Sequence, residues 1–178
     1  REIPGGIKRA WSIEKKRLNK QGKNAFSLNN QILHSYLMTV GIFVLFTYFL
    51  GYYALLILLL HSPIVWWQLT TANYIEHYGL LRKKNYLGKY ERCQPKHSWN
   101  SNHFVSNLVL FHLQRHADHH ANPSRHYQSL RDFPEAPQLP MGYMGMFLLA
   151  YIPPLWRKVM NPKVLKLANN NFDLINHI

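Results

Sequence analysis

Polar and apolar positions are sharply segregated along this chain. Between Gln31 and Ile75 there is no Lys, Arg, Asp or Glu. A helix of roughly 20 apolar residues crosses a bilayer core, so this run is long enough for two spans. The pattern predicts the first span over residues 31–50 and the second over 52–75. Gly51, with aromatics close on both sides, marks a tight turn at the far interface. A buried hairpin in a soluble protein is the competing reading, but it would need a far larger core than 178 residues supply. His34, His61 and Pro63 interrupt the run without charge, and Pro63 is a place for the second helix to kink.

The flanks follow other periods. From Ile7 to Lys20 the apolar Ile7, Trp11, Ile13 and Leu18 stand among basic residues, which predicts an amphipathic helix at the membrane surface. A polar linker leads from there to Asn30, so residues 1–30 form an interfacial region. After the spans, residues 76–178 form a polar region and tail. One helix is expected from Asn102 to Ala121, capped by Asn100 or Ser101 and stopped by Pro123. Phe104, Val105, Leu108 and Phe111 supply its apolar face. Met141 to Trp156 is apolar, but with Pro153-Pro154 it is too short to span and reads as interfacial or re-entrant. Asn161 to Ile178 reads as a polar, peripheral tail.

Charge then orients the hairpin. The 21 Lys and Arg against 8 Asp and Glu give +13, a balance that often marks nucleic acid, anionic lipid or an acidic protein as partner. Here Lys8, Arg9, Lys15, Lys16, Arg17, Lys20 and Lys23 precede the spans. Arg82, Lys83, Lys84, Lys89 and Arg92 follow them. The positive-inside rule puts both flanks in the cytoplasm, and two spans return the chain to its starting side. Topology and anionic headgroups account for the basic excess, so nucleic acid is not needed. A lone Cys93 excludes an internal disulfide and thiolate-rich zinc sites. The chain begins at Arg1 without a signal-peptide pattern and reads as a piece of something longer.

The chemistry lies in His116, His119 and His120. Positions i, i+3 and i+4 share one helix face, and His112 would stand one turn earlier on the same stripe. Imidazole suits iron, copper, zinc and nickel. A solvated, histidine-rich basic face is the bland alternative. At the end of the second span Asn73 and His77 are also four apart, so Asn73 is placed to orient that imidazole. Glu76 points elsewhere on the helix. An ordinary polar helix end capped by Gly79 is the alternative there. Asp118 is placed to orient a ligand on a neighbouring element or to meet Arg115. His97 and His103 lack partners at ligand spacing. Histidine-bound redox iron without cysteine fits oxygen activation better than an iron–sulfur carrier.

Two of these stretches also resemble a known family. Asn73-Tyr74-Ile75-Glu76-His77-Tyr78-Gly79-Leu80 and Leu113-Gln114-Arg115-His116-Ala117-Asp118-His119-His120-Ala121-Asn122-Pro123 are similar to motifs of the membrane-bound alkane 1-monooxygenases. These belong to the histidine-rich diiron class within the fatty acid desaturase and hydroxylase superfamily. The resemblance continues through Arg1-Glu2-Ile3-Pro4-Gly5, Ala10-Trp11, His97 to His103 and Arg131 to Pro140.

The resemblance implies an all-α integral-membrane fold. This chain would be the C-terminal part of one domain, carrying the last two of about six spans and the cytoplasmic histidine region. It implies two non-haem iron ions, with His77, His116, His119 and His120 among their ligands. Asn73, Glu76, His112 and Asp118 would support or line the site. The family's first two histidine boxes are absent from these residues and would lie upstream of Arg1.

The implied reaction is terminal hydroxylation of medium- or long-chain n-alkanes with O2. Rubredoxin and its reductase supply the electrons, and the location is the bacterial inner membrane. Tyr52, Tyr53, Trp66 and Trp67 are candidates for lining a substrate channel, with lipid-facing packing as the alternative for each. The alternatives are a hydroxylase or desaturase acting on alkyl-arenes or fatty acyl chains, and a non-catalytic membrane metal-binding protein.

Overall fold

A computed structural model describes residues 2–176. Arg1, at the head of the amino-terminal stretch, and the tail residues His177 and Ile178 lie outside the described residues. Among the described residues the regular structure is helical, with isolated bridges but no strand. The chain divides into two compact units, Arg1–Val65 and Trp66–Ile178.

The first unit begins with α1 (Glu2–Lys20), which starts earlier than the pattern predicts because Pro4 fits a first helical turn. Leu18 is its fully buried anchor. Glu14 is buried too, and its carboxylate accepts both Nε and Nη2 of Arg17 at 2.7 Å and the backbone N–H of Gln31 at 2.7 Å. That carboxylate therefore ties α1 to α2 (Gln31–Leu50). Asn30 caps α2, its Oδ1 accepting from Ile32 and Leu33, as an N-cap asparagine should.

Gly51 takes a φ of +81°, a conformation that favours glycine, and α3 (Tyr52–His77) follows at once. Both helices are long and apolar enough to cross a membrane, and α2 has no buried residue. α3 runs through Pro63 without interruption. Within the first unit, Val40, Phe43, Val44, Tyr48, Leu55 and Leu59 line an apolar groove of about 640 Å³.

The second unit has the conventional core. Ile75, Tyr78, Trp99, Tyr143, Met146, Trp156, Met160 and Val164 pack together, and the Trp99 Nε1–H donates to the Tyr78 carbonyl at 2.8 Å. α6 (Tyr143–Ala150) is far too short to span. Pro153-Pro154 does not end an element but opens α7 (Pro153–Leu167), because proline suits the first helical position. Trp156, Met160 and Val164, spaced by four, put one buried face into the core. The stretch from Asn161 therefore contributes to the core through Val164, Ala168 and Ile175 and is not a peripheral tail.

The helix expected from Asn102 to Ala121 is also corrected. It is two short helices, α4 (Phe104–Val109) and α5 (His116–Ala121). Phe111 and His112 between them take φ of 50° and 62°, left-handed values unusual without glycine. Gln114 turns inward, its side-chain amide donating to Asn107 and its backbone carbonyl accepting the Ser101 N–H at 3.0 Å. Phe104, Val105, Leu108 and Phe111 are left exposed. His112 belongs to neither helix, so it does not continue the stripe of His116.

Candidate metal centre

The site is assembled from the last turn of α3 and from α5. Ile75 is fully buried in the core and fixes how that last turn is rotated. The carbonyl of Glu76 accepts the Trp99 N–H at 2.8 Å. Next to it, Nδ1 of His77 lies 3.1 Å from the carbonyl of His97. A carbonyl only accepts, so Nδ1 carries a proton and Nε2 is the nitrogen placed to bind a metal. The orienting group is thus a backbone carbonyl rather than Asn73, which is exposed on α3.

α5 is anchored by Ala117 and Asp118, both fully buried. Asp118 is a hub: its carboxylate accepts Nδ2 of Asn122, Nη1 of Arg125 and the Arg131 N–H, each at 2.7 Å. Burial alone would raise its pKa, but the Arg131 N–H and the side chains of Arg125 and Asn122 hold it below the ordinary value. Its ion-pair partner is therefore Arg125, not Arg115, which reaches Asn102 and the Leu130 carbonyl instead.

With α5 fixed this way, ligand atoms of His77, His116 and His120 lie within 4.8 Å of one another. The rings of His116 and His120 are 4.3 Å apart, and His77 stands 5.3 and 5.0 Å from them. His119 is beside this group rather than in it, its ring 5.7 Å from His116 and 5.5 Å from His120.

Burial and mutual repulsion keep His116 and His120 neutral. Burial first, then the neighbouring His120, His77 and His119, push His116 down to about 2. Burial and His77 bring His120 to about 4. Neither ring nitrogen of His116 has a hydrogen-bond partner. Buried polar atoms left unpartnered are uncommon in folded proteins, and these belong to a neutral imidazole among others. This donor set fits a bound transition metal of the kind that imidazole serves.

Glu76, which seemed to point away, faces His116: its Oε2 lies 3.2 Å from His116 Nε2, without the alignment of a hydrogen bond. α5 approaches from the side of α3 that Glu76 occupies. The other oxygen, Oε1, accepts the Tyr143 hydroxyl at 2.9 Å. Burial and that carboxylate hold the Tyr143 phenol protonated well above its ordinary range. The sequence singled out neither Tyr143 nor the role of Arg125, and nothing local marks either residue.

His112 lies apart from the cluster geometry, with a buried, unpartnered Nδ1. Tyr52, Tyr53, Trp66 and Trp67 are all exposed on α3. None lines the apolar groove of the first unit, and Trp67 stacks on Tyr151 at 4.8 Å.

Residues 5–150 match the family model described as fatty acid desaturase. Over 175 residues the chain is 55% identical to an alkane 1-monooxygenase of Pseudomonas putida, covering 98% of this chain and 44% of that protein. It is 51% identical over 175 residues to alkane 1-monooxygenase 1 of Alcanivorax borkumensis, covering 98% and 43%. It is 30% identical over 156 residues to the xylene/toluene monooxygenase hydroxylase component of Pseudomonas putida, covering 85% and 40%. The chain spans less than half the length of the curated relatives it matches.

Proposed function

The chain belongs to the fatty acid desaturase family, and on that premise we propose that it is part of a membrane-bound alkane 1-monooxygenase. The observation that carries this reading is the trio of His77, His116 and His120, whose ligand atoms lie within 4.8 Å of one another. The long, high-identity match to alkane 1-monooxygenases supports the choice of reaction. In this reading the substrate is an n-alkane hydroxylated at its terminal methyl with O2. The metal is two non-haem irons, with His119 joining the trio as a ligand. Bound iron would supply the redox chemistry of oxygen activation.

The chain's own residues prepare that centre. The carbonyl of His97 accepts from Nδ1 of His77, burial keeps His116 unprotonated, and the Asp118 hub holds α5 so that His116 and His120 face His77. The basic stretch of Arg82, Lys83, Lys84, Lys89 and Arg92 suits an acidic electron carrier such as rubredoxin, supplied by its reductase. The same basic flank supports a cytoplasmic side for the histidines at the inner membrane. Exposed Tyr52, Tyr53, Trp66 and Trp67 are the positions assigned to alkane passage from the bilayer.

Metal analysis of the purified full-length protein tests the reading. About two irons per chain are expected, and zinc or no metal would leave a non-catalytic membrane protein. Similarity to a xylene/toluene monooxygenase component favours a second reading, hydroxylation of alkyl-arenes. Cells expressing the full-length gene, given octane, hexadecane and xylene, separate the two. Oxidation of xylene but of neither alkane would overturn the first.

A further inference from the structure

We propose that Tyr143 is a positioning residue for His116, acting through Glu76. The inference rests on reading the histidine cluster as a metal centre. Glu76 is only 4% exposed, and a buried carboxylate holds its place only where its oxygens find partners. One oxygen takes the Tyr143 hydroxyl at 2.9 Å, and the other faces Nε2 of His116 at 3.2 Å. Pinning Oε1 fixes the plane of the carboxylate and so the direction in which Oε2 points. Glu76 is the carboxylate that faces Nε2 of His116, so the direction of Oε2 bears on the turn of that ring. Groups standing behind a metal-binding histidine commonly have this role.

Tyr143 is in turn unusually well fixed. It is 2% exposed within the core, and its backbone N–H donates to Ser106 Oγ at 3.2 Å. A Cβ on the preceding Gly142 would stand 2.7 Å from that same Oγ and 3.4 Å from Cβ of His103. The start of α6 therefore lies against α4 at a distance that glycine permits. Ser106, Gly142, Tyr143 and Glu76 form one continuous support ending at His116.

The test uses the full-length protein in lipid nanodiscs, stripped of metal and titrated with cobalt(II). Its visible spectrum and dissociation constant are read beside thermal unfolding and alkane kinetics. Tyr143→Phe removes one oxygen and keeps the ring. It should weaken cobalt binding roughly 10- to 100-fold and alter the cobalt spectrum. It should lower kcat without changing KM, and the metal-free protein should still unfold cooperatively. Glu76→Gln should act in the same direction. In that background Tyr143→Phe should add little, because both lie on one path. Wild-type cobalt affinity and spectrum in Tyr143→Phe, or simple additivity of the two changes, would overturn the proposal. If Tyr143→Phe does not fold, Glu76→Gln decides: unchanged cobalt binding there overturns it equally. Failure of the wild type to bind cobalt, or unchanged binding in His116→Ala, would instead sink the metal-centre reading and this inference with it.

Discussion

The apolar hairpin and the region that follows it solve opposite problems. α2 buries none of its residues, and its Leu, Phe, Val and Tyr side chains are almost all exposed. In a bilayer that surface needs only to be apolar, since its helix satisfies its own backbone. The second unit instead buries Glu76, His97, Ser98, Asn100, Ser101, Ser106, Gln114, His116 and Asp118. Of these, Glu76, Asn100, Ser106, Gln114 and Asp118 each hold a particular partner through the side chain, because an unpaired buried polar group is costly. The hairpin is therefore specified by composition and the second unit by pairing. Tolerance to substitution should differ accordingly.

The sharpest break in that contrast comes from the cluster. In the full-length protein, His116→Ala is expected to lower alkane hydroxylation at least about a thousandfold, or about 4 kcal/mol of barrier, with loss of bound metal. His119→Ala should do the same while membrane insertion is kept, and retained activity would remove His119 from the ligand set. Next, Asp118→Ala leaves Arg125 and the Arg131 N–H without their shared acceptor. The cost should be about 3 kcal/mol, at the low end for a buried pair, because Arg125 still reaches solvent. Thermal unfolding in detergent reads it.

Gly142→Ala should cost about 1–2 kcal/mol by the same measurement. The new methyl displaces Ser106 Oγ and with it the bond from the Tyr143 N–H. Last, Leu45→Ala on the exposed face of α2 should stay within about 0.5 kcal/mol in nanodiscs. A large destabilisation there would mean that α2 is held by packing rather than by lipid.

Legibility in the sequence follows the same division. Both long helices could be read because their signal is an uninterrupted absence of charge, a property no distant residue alters. His116 and His120 could be placed on one face because their spacing falls within one turn of a helix. The link between Glu76 and Tyr143 could not, since it joins residues 67 apart through a path the loops decide. α7 was missed for a different reason: its prolines were read as breakers, whereas at a helix start they are favourable. The longer helix over 102–121 failed because two non-glycine residues adopt left-handed backbone, which no local preference announces. His112, counted by spacing as part of the stripe, was lost with that helix.

That pair of left-handed residues also settles a question of phase. Were α4 and α5 one rod, Ser106 and His116 would stand about 15 Å apart along it and about 80° apart around it. No single neighbour could then meet both. By breaking the rod at Phe111 and His112, the chain resets both translation and rotation. Ser106 can then grip the backbone of Tyr143 while His116 faces the carboxylate held by that tyrosine's hydroxyl. The turn is a coupling joint: it lets α4 meet Tyr143 while α5 meets the Glu76 carboxylate that Tyr143 holds.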